Sequence, residues 1–183
     1  FAMPVVYTWD PTFSWYDFSN SDYRWFYNML LVASNSGAYT PSDVPIITFV
    51  HWNTVFISGI EDPNVQQFSE AGYRELLWHM LLRGHDTFFL WTPMEQSGEE
   101  MRLLHEVYAA SLQYREFLTK GRPVNFDVPK NEGAVVSAVQ LGDRLLVRRT
   151  DFARVTSPVT LTVHHRTITV PKSDGVCQLL DLE

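Results

Sequence analysis

A single cysteine, Cys177, stands in 183 residues, so no disulfide can close within the chain and the redox compartment is left open. No run of about 18 apolar residues occurs, which excludes a membrane-spanning helix. Basic residues are the scarcer sign: 14 Lys and Arg stand against 21 Asp and Glu, a net charge of −7. That balance argues against nucleic acid and against an anionic membrane surface as partners. Glycine-rich phosphate loops are missing, since neither G-x-G-x-x-G nor a P-loop is present. A G-x-S-x-G elbow is missing too, and no spacing assembles a Ser/His/Asp triad. His79, His85 and His105 form no i, i+4 pair on one helix, so no metal and no other cofactor is expected. The first six residues carry neither a basic region nor a cleavage-site pattern, so no signal peptide is expected there.

What is abundant is aromatic: 14% of residues are Phe, Trp or Tyr, and several close short apolar runs. The most informative stretch runs from Phe68 to Pro93. Tyr73, Leu76, Leu77, Met80 and Leu81 recur at helical spacing. Arg83-Gly84 then supplies a cation and a glycine stop. Thr87-Phe88-Phe89-Leu90-Trp91 follows; it is too short for a helix, is bounded by Asp86 and Pro93, and reads as a buried strand. Helix, turn and buried strand make the second half of a βαβ unit, with Trp91 at the strand's C-terminal end, where such folds bind ligands.

The same grammar holds upstream. Pro4 to Trp9 reads as a strand ending at Asp10-Pro11. Asp22 is placed to cap a helix through about Val32, with Trp25, Phe26, Met29 and Leu30 on one face and Gly37 as the stop. Val44 to Val50 reads as a second buried strand, ending in His51-Trp52-Asn53. Asp62-Pro63 opens the next helical region. After the third strand, Ser97-Gly98-Glu99-Glu100 is a capping box for a long helix with Met101, Leu104, Tyr108 and Leu112 on one face. Beyond Gly121 the pattern alternates. Leu141 to Arg144 and His164 to Arg166 sit as hairpin turns between alternating segments, and Arg144, Arg148 and Arg149 read as a solvated basic face.

The order is therefore βαβαβα and then all β, divided at 1–122 and 123–183. Three βα units are too few for an eight-stranded barrel, and a free half-barrel would expose strand edges. Because the chain opens directly into a strand without Met, it is expected to be a piece of something longer. A small open α/β sheet, complete in itself, is the alternative.

A barrel strand ending in Trp (Phe88 to Pro93), a long last helix and a short antiparallel β-sandwich resemble the C-terminal end of (β/α)8 glycoside hydrolases of the retaining or substrate-assisted kind. The resemblance spans nearly the whole chain in layout and rests on architecture, with no family-defining motif. It implies an α/β fold, the C-terminal portion of a (β/α)8 barrel with an appended sandwich, and hydrolysis of a poly- or oligosaccharide. It further implies a missing N-terminal half of the barrel or a second chain as partner. In many such enzymes a Trp closing the last barrel strand floors the sugar site, a position matched by Trp91. Tyr7, Trp9 and Asp10, and likewise His51, Trp52 and Asn53, match sugar-site strand ends. The departure is in the carboxylates. Such enzymes need two, about 5 to 9.5 Å apart, commonly on the fourth and seventh strands, whereas the strand ending in His51-Trp52-Asn53 carries no Glu.

From the residues themselves, Trp91, Trp52 and Trp9 offer indole faces to sugar C–H groups or serve as core. His51 and Trp52 are neighbours on a strand, so they point to opposite faces. His51 is a hydroxyl donor, a tuner of a carboxylate or a satisfied core histidine. Asn53 and Tyr7 offer polar groups for hydroxyls. Asp10 and Glu95 are the available catalytic carboxylates, read otherwise as a turn residue and a helix-dipole partner. Glycan binding without catalysis, or a purely structural α/β module, is the competing function.

Overall fold

The computed structural model describes residues 1–7, 22–53, 67–91, 97–124, 126–153, 158–163, 165–173 and 175–182. Strands β1 (Val5–Tyr7), β2 (Ile47–His51) and β3 (Thr87–Leu90) form a parallel sheet in the order β1-β2-β3. Val5 pairs with Phe49, and Phe49 with Phe89, so the apolar runs align in register. Helices α1 (Asp22–Tyr39) and α2 (Glu70–Leu82) follow β1 and β2. Alternation along the strands sends Val6, Thr48 and Val50 into the core, where α1 and α2 supply Phe26, Met29, Leu30, Leu76, Leu77 and Met80. The other sheet face leaves Val5 and Phe89 exposed, with Phe49 and Phe89 rings 4.8 Å apart. The described residues form no closed barrel.

After β3 come α3 (Ser97–Ser111), a 3₁₀ turn over Leu112–Tyr114, and α4 (Arg115–Lys120). A four-stranded antiparallel sheet follows, from β4 (Arg122–Val124), β5 (Ala134–Leu141), β6 (Arg144–Asp151) and β9 (Gln178–Asp181) in the order β4-β5-β6-β9. Strands β7 (Val159–Val163) and β8 (Arg166–Val170) form a separate hairpin. Gly142 has φ 60°, the positive value that a primed two-residue turn requires at its first position. Both faces of β5 and β6 are buried. One face meets the helices through Val135, Val139 and Leu146, while Val136, Ala138, Leu145 and Val147 meet Val163 and Val170 of the hairpin.

Helix α2 thus touches both sheets, and beside the apolar packing of Leu82 on Val139 and Leu146 its contact with β5 and β6 has a polar part. His79 shares hydrogen bonds with Ser137 Oγ (2.7 Å) and Thr150 Oγ1 (2.9 Å). Arg83 donates to Ser137 Oγ, Ser34 Oγ and the carbonyls of Phe126 and Val136, all within 2.9 Å. Burial pushes the Arg83 guanidinium down to about 10, opposed by Asp127, so it stays charged at neutral pH. The cation expected to serve an exposed helix end instead reaches across to the sheet. Its four acceptors, of which Ser137 Oγ and the Val136 carbonyl are fully buried, then have a partner.

Four local expectations change. Helix α1 runs through Gly37 to Tyr39, because Gly37 lies against the Arg83 carbonyl and a Cβ there would collide with that backbone. The glycine serves close helix approach. Gly37→Ala is expected to cost about 1–3 kcal/mol, read as a lower urea midpoint at unchanged slope. Helix α2 starts at Glu70 with Ser69 as N-cap, its Oγ accepting from Gly72 N–H at 3.0 Å; Asp22 accepts from the Ser69 N–H rather than serving only its own helix. Positions 62 and 63, read as the start of that region, lie outside the described residues.

Helix α3 buries Glu100, Leu103, Val107 and Ser111, and leaves Met101 and Tyr108 exposed, as is Leu112 in the 3₁₀ turn after it. Its apolar positions span too wide an arc for periodicity to choose the inner face. Finally, Arg148 and Arg149 are buried, the first bound to Glu75 and the second to Asp151 and the Val170 carbonyl. Only Arg144 keeps the solvated character expected of that face, 53% exposed beside Asp181.

Candidate functional site

The C-terminal ends of the parallel strands place Tyr7, His51 and Trp91 in neighbouring positions. Tyr7 pairs with His51, and the Trp91 N–H donates to the Val50 carbonyl at 3.1 Å, carrying the β2–β3 pairing one residue further. For Tyr7 the structure describes backbone alone. His51 is fully buried, and its ring meets the Trp91 indole edge-on, with centroids 5.9 Å apart and planes at 75°. Trp91 keeps 43% of its surface exposed. An exposed indole over a buried imidazole follows from the strand's end: Trp91 holds the last hydrogen bond of β3, while His51 is still paired with Tyr7.

Beneath them sits a carboxylate. Glu100, in the first turn of α3, is 1% exposed, and its Oε2 lies 3.4 Å from His51 Nδ1. Tyr73, from the first turns of α2, donates its hydroxyl to Glu100 Oε1 at 2.6 Å. Burial, and then the Glu100 charge, push the Tyr73 hydroxyl well above its ordinary value, so it remains a donor. Glu100 therefore turns inward where a capping box would have sent it back along its own helix.

Trp52 points the other way. Its indole N–H donates to the Phe68 carbonyl at 2.8 Å, its ring packs 6.3 Å from that of Tyr73, and Gln67 donates to its carbonyl at 2.9 Å. It belongs to the helix layer, and the structure does not bring it together with Trp91. Asn53 is half-buried where the chain leaves β2. Trp9, Asp10 and Glu95 lie outside the described residues. Among the described residues no three His, Cys, Asp or Glu side chains gather to hold a metal ion.

A groove of about 840 Å³ runs along the N-terminal end of the parallel strands, past Val44, His85, Asp86, Thr87, Tyr108 and Arg115. That is the end opposite His51 and Trp91. His85 there is held by Thr48 and by the Ala33 carbonyl, and burial lowers its basicity, opposed by that carbonyl and Asp86. In parallel α/β architecture this end carries stability and the opposite end carries ligands.

No protein-family model matches the chain, and no curated protein or solved structure matches it either.

The functional reading therefore stands on these side chains alone. Tyr73 and Glu100 were not among the candidates drawn from the sequence. In the sequence Tyr73 stands at an apolar helical position that reads as core, and Glu100 stands where it reads as a cap. One signal was present: Glu100 shares its i, i+3, i+7 stripe with Leu103 and Val107, and a carboxylate on an apolar stripe must find partners inside.

Proposed function

We propose that this chain is the C-terminal portion of a (β/α)8 glycoside hydrolase acting on a poly- or oligosaccharide. It supplies one wall of the cleft, and the N-terminal half of the barrel or a second chain supplies the rest. The supporting layout is a parallel sheet in sequential order whose helices α1 and α2 cover one face, while Val5, Phe49 and Phe89 line the other. In a closed barrel the second face is filled by side chains of the remaining strands.

The observation that carries the reading is Trp91, a half-exposed indole at the C-terminal end of a parallel strand, braced edge-on by His51. An indole so held offers a flat apolar face to sugar C–H groups without losing rotational freedom on binding. In this reading Asp10 and Glu95 remain the proposed catalytic carboxylates, Tyr7 and Asn53 bind hydroxyls, and Trp9 adds to the aromatic wall, while Trp52 serves the helix layer. Glu100 is a poor acid for a sugar, because it is sealed beneath His51 and Tyr73.

That sealed carboxylate favours a second reading, glycan binding without cleavage. Incubating the full gene product with a panel of oligo- and polysaccharides separates the two: new reducing ends support hydrolysis, and retention without release supports binding. Trp91→Ala is expected to lower kcat/KM, or affinity, about tenfold, equivalent to roughly 1.4 kcal/mol. Absence of both release and retention across the panel would discard the saccharide reading.

A further inference from the structure

Helix α2 meets β5 and β6 through a chain of hydrogen bonds whose direction follows link by link from the groups present. Arg148 donates to both oxygens of the Glu75 carboxylate, and Thr150 Oγ1 donates to Glu75 Oε2. A hydroxyl has one proton, so Thr150 has none left for His79. His79 Nε2, 2.9 Å from Thr150 Oγ1, therefore carries the proton of that bond. A neutral imidazole with its proton on Nε2 has a bare Nδ1. Ser137 Oγ donates to it from 2.7 Å, and accepts in turn from Arg83 Nε–H at 2.8 Å. Every donor along the line thus points the same way, from Arg83 through Ser137, His79 and Thr150 to Glu75. His79 and Ser137 are fully buried, and Arg83 is nearly so.

We propose that this relay pins His79 as its Nε2–H tautomer, makes Nδ1 the point of proton uptake, and acts as a pH-sensitive lock between α2 and the antiparallel sheet. The lock is independent of the saccharide reading. A proton on Nδ1 leaves two N–H groups, from His79 and Arg83, aimed at Ser137 Oγ, and turns the serine's own proton out of the line. It also sets a new cation beside two others. Among the described residues, the charged groups facing His79 are Arg83 and, through Thr150, Glu75 from α2, and Arg148 from β6. Helix α1 presents only the Phe26 ring, edge-on at 5.4 Å, and β5 the neutral Ser137; Asp127 acts on Arg83 from beyond. Burial, and then Arg83 and Arg148, hold the imidazole well below its ordinary basicity, so the lock is closed at neutral pH. Opening it in acid means that Ser137 releases the Arg83 Nε–H, the link that ties the C-cap of α2 to β5.

Two-bond ¹H–¹⁵N spectra of ¹⁵N-histidine-labelled protein at pH 8 report the tautomer of each of the six histidines, and His79→Gln identifies the relevant signal. The wild type is expected to show the Nε2–H pattern for His79. Thr150→Val is expected to reduce the Nε2–H fraction, and Thr150→Ser, which keeps the hydroxyl, to restore it. An Nδ1–H pattern in the wild type, a result that needs no variant to fold, overturns the assignment. So does an Nε2–H pattern that Thr150→Val leaves unmoved. On lowering the pH, His79 Nδ1 is expected to gain its proton with a midpoint below that of free imidazole, and the Arg83 Nε–H resonance to shift with the same midpoint. In His79→Gln, whose amide donates to Thr150 and accepts from Ser137 without titrating, the Arg83 resonance is expected to stay in place. An Arg83 signal that moves equally in His79→Gln overturns the lock. Global unfolding of the wild type before His79 titrates also overturns it, because the proton would then enter only the unfolded chain.

Discussion

Glu75→Ala is expected to destabilise the fold by about 3–5 kcal/mol, the usual result of removing one partner from a buried ion pair. Arg148 is 4% exposed and Glu75 16%, and the guanidinium meets the carboxylate with both Nε and Nη2. Thr150 donates to the same carboxylate, and the Arg148 guanidinium also lies 4.8 Å over the Trp78 ring. Without Glu75, a guanidinium that is almost wholly buried is left against the Trp78 indole and the Cys177 thiol. Urea unfolding measures the effect, and a loss below about 1 kcal/mol would mean that water screens the pair as at a surface. The double variant Glu75→Leu/Arg148→Met removes both charges together, and is expected to recover most of the loss. The exposed network of Arg74, Arg102, Glu70, Glu99 and Glu106 is the internal control. Its removal is expected to have a small effect that disappears in salt.

The second large effect is expected in mild acid. His79 is enclosed in the α2–sheet contact; burial, and then the charges of Arg83 and Arg148, hold its basicity well below the ordinary value. Burial lowers His85 as well, against the Ala33 carbonyl and Asp86. In the unfolded chain each imidazole takes a proton near its ordinary value of about 6.5, while in the fold each resists it. The unfolded state therefore binds more protons below that value. Stability is complete above about pH 7 and falls as the pH drops, with a limiting slope of about 1.4 kcal/mol per pH unit for each such histidine. Unfolding free energies between pH 8 and pH 5 are expected to decline in the wild type, and less steeply in His79→Gln, where the amide still offers a donor and an acceptor. A profile flat over that range in the wild type would show that both rings are readily protonated in the folded state.

Much of the layering is written locally. Apolar runs between turn formers locate β2 and β3, Gly142 marks a hairpin, and Gly84, with φ 93°, lies just past the C-cap of α2. Missing from that local code are facts that depend on what lies across the contact. Gly37 looks like a helix stop until Arg83 is known to lie against it. Arg148 and Arg149 look solvated until Glu75 and Asp151, on either side of the sheet, are placed. The inner face of α3 was ambiguous because Leu103 and Leu104, or Val107 and Tyr108, serve equally as apolar positions; packing against α2 decides. Of the candidate site, His51 and Trp91 were legible as a strand end, and the structure sets them edge to face. The carboxylate beneath them was hidden because its partners come from strand β2 and helix α2, both distant from it in sequence.

The α2–sheet contact also bears on how the chain can be divided. A cut at Gly121, where helical pattern gives way to alternation, would leave the Arg83 donors and the His79 ring on one piece, and on the other the Ser137, Val136 and Phe126 oxygens that they satisfy. Each piece would then expose polar groups that only water could satisfy, and the contact that orders them would be lost. The two stretches are thus heritable as one cassette: recombination that exchanges the strands without the helix would have to rebuild the whole polar lock at once.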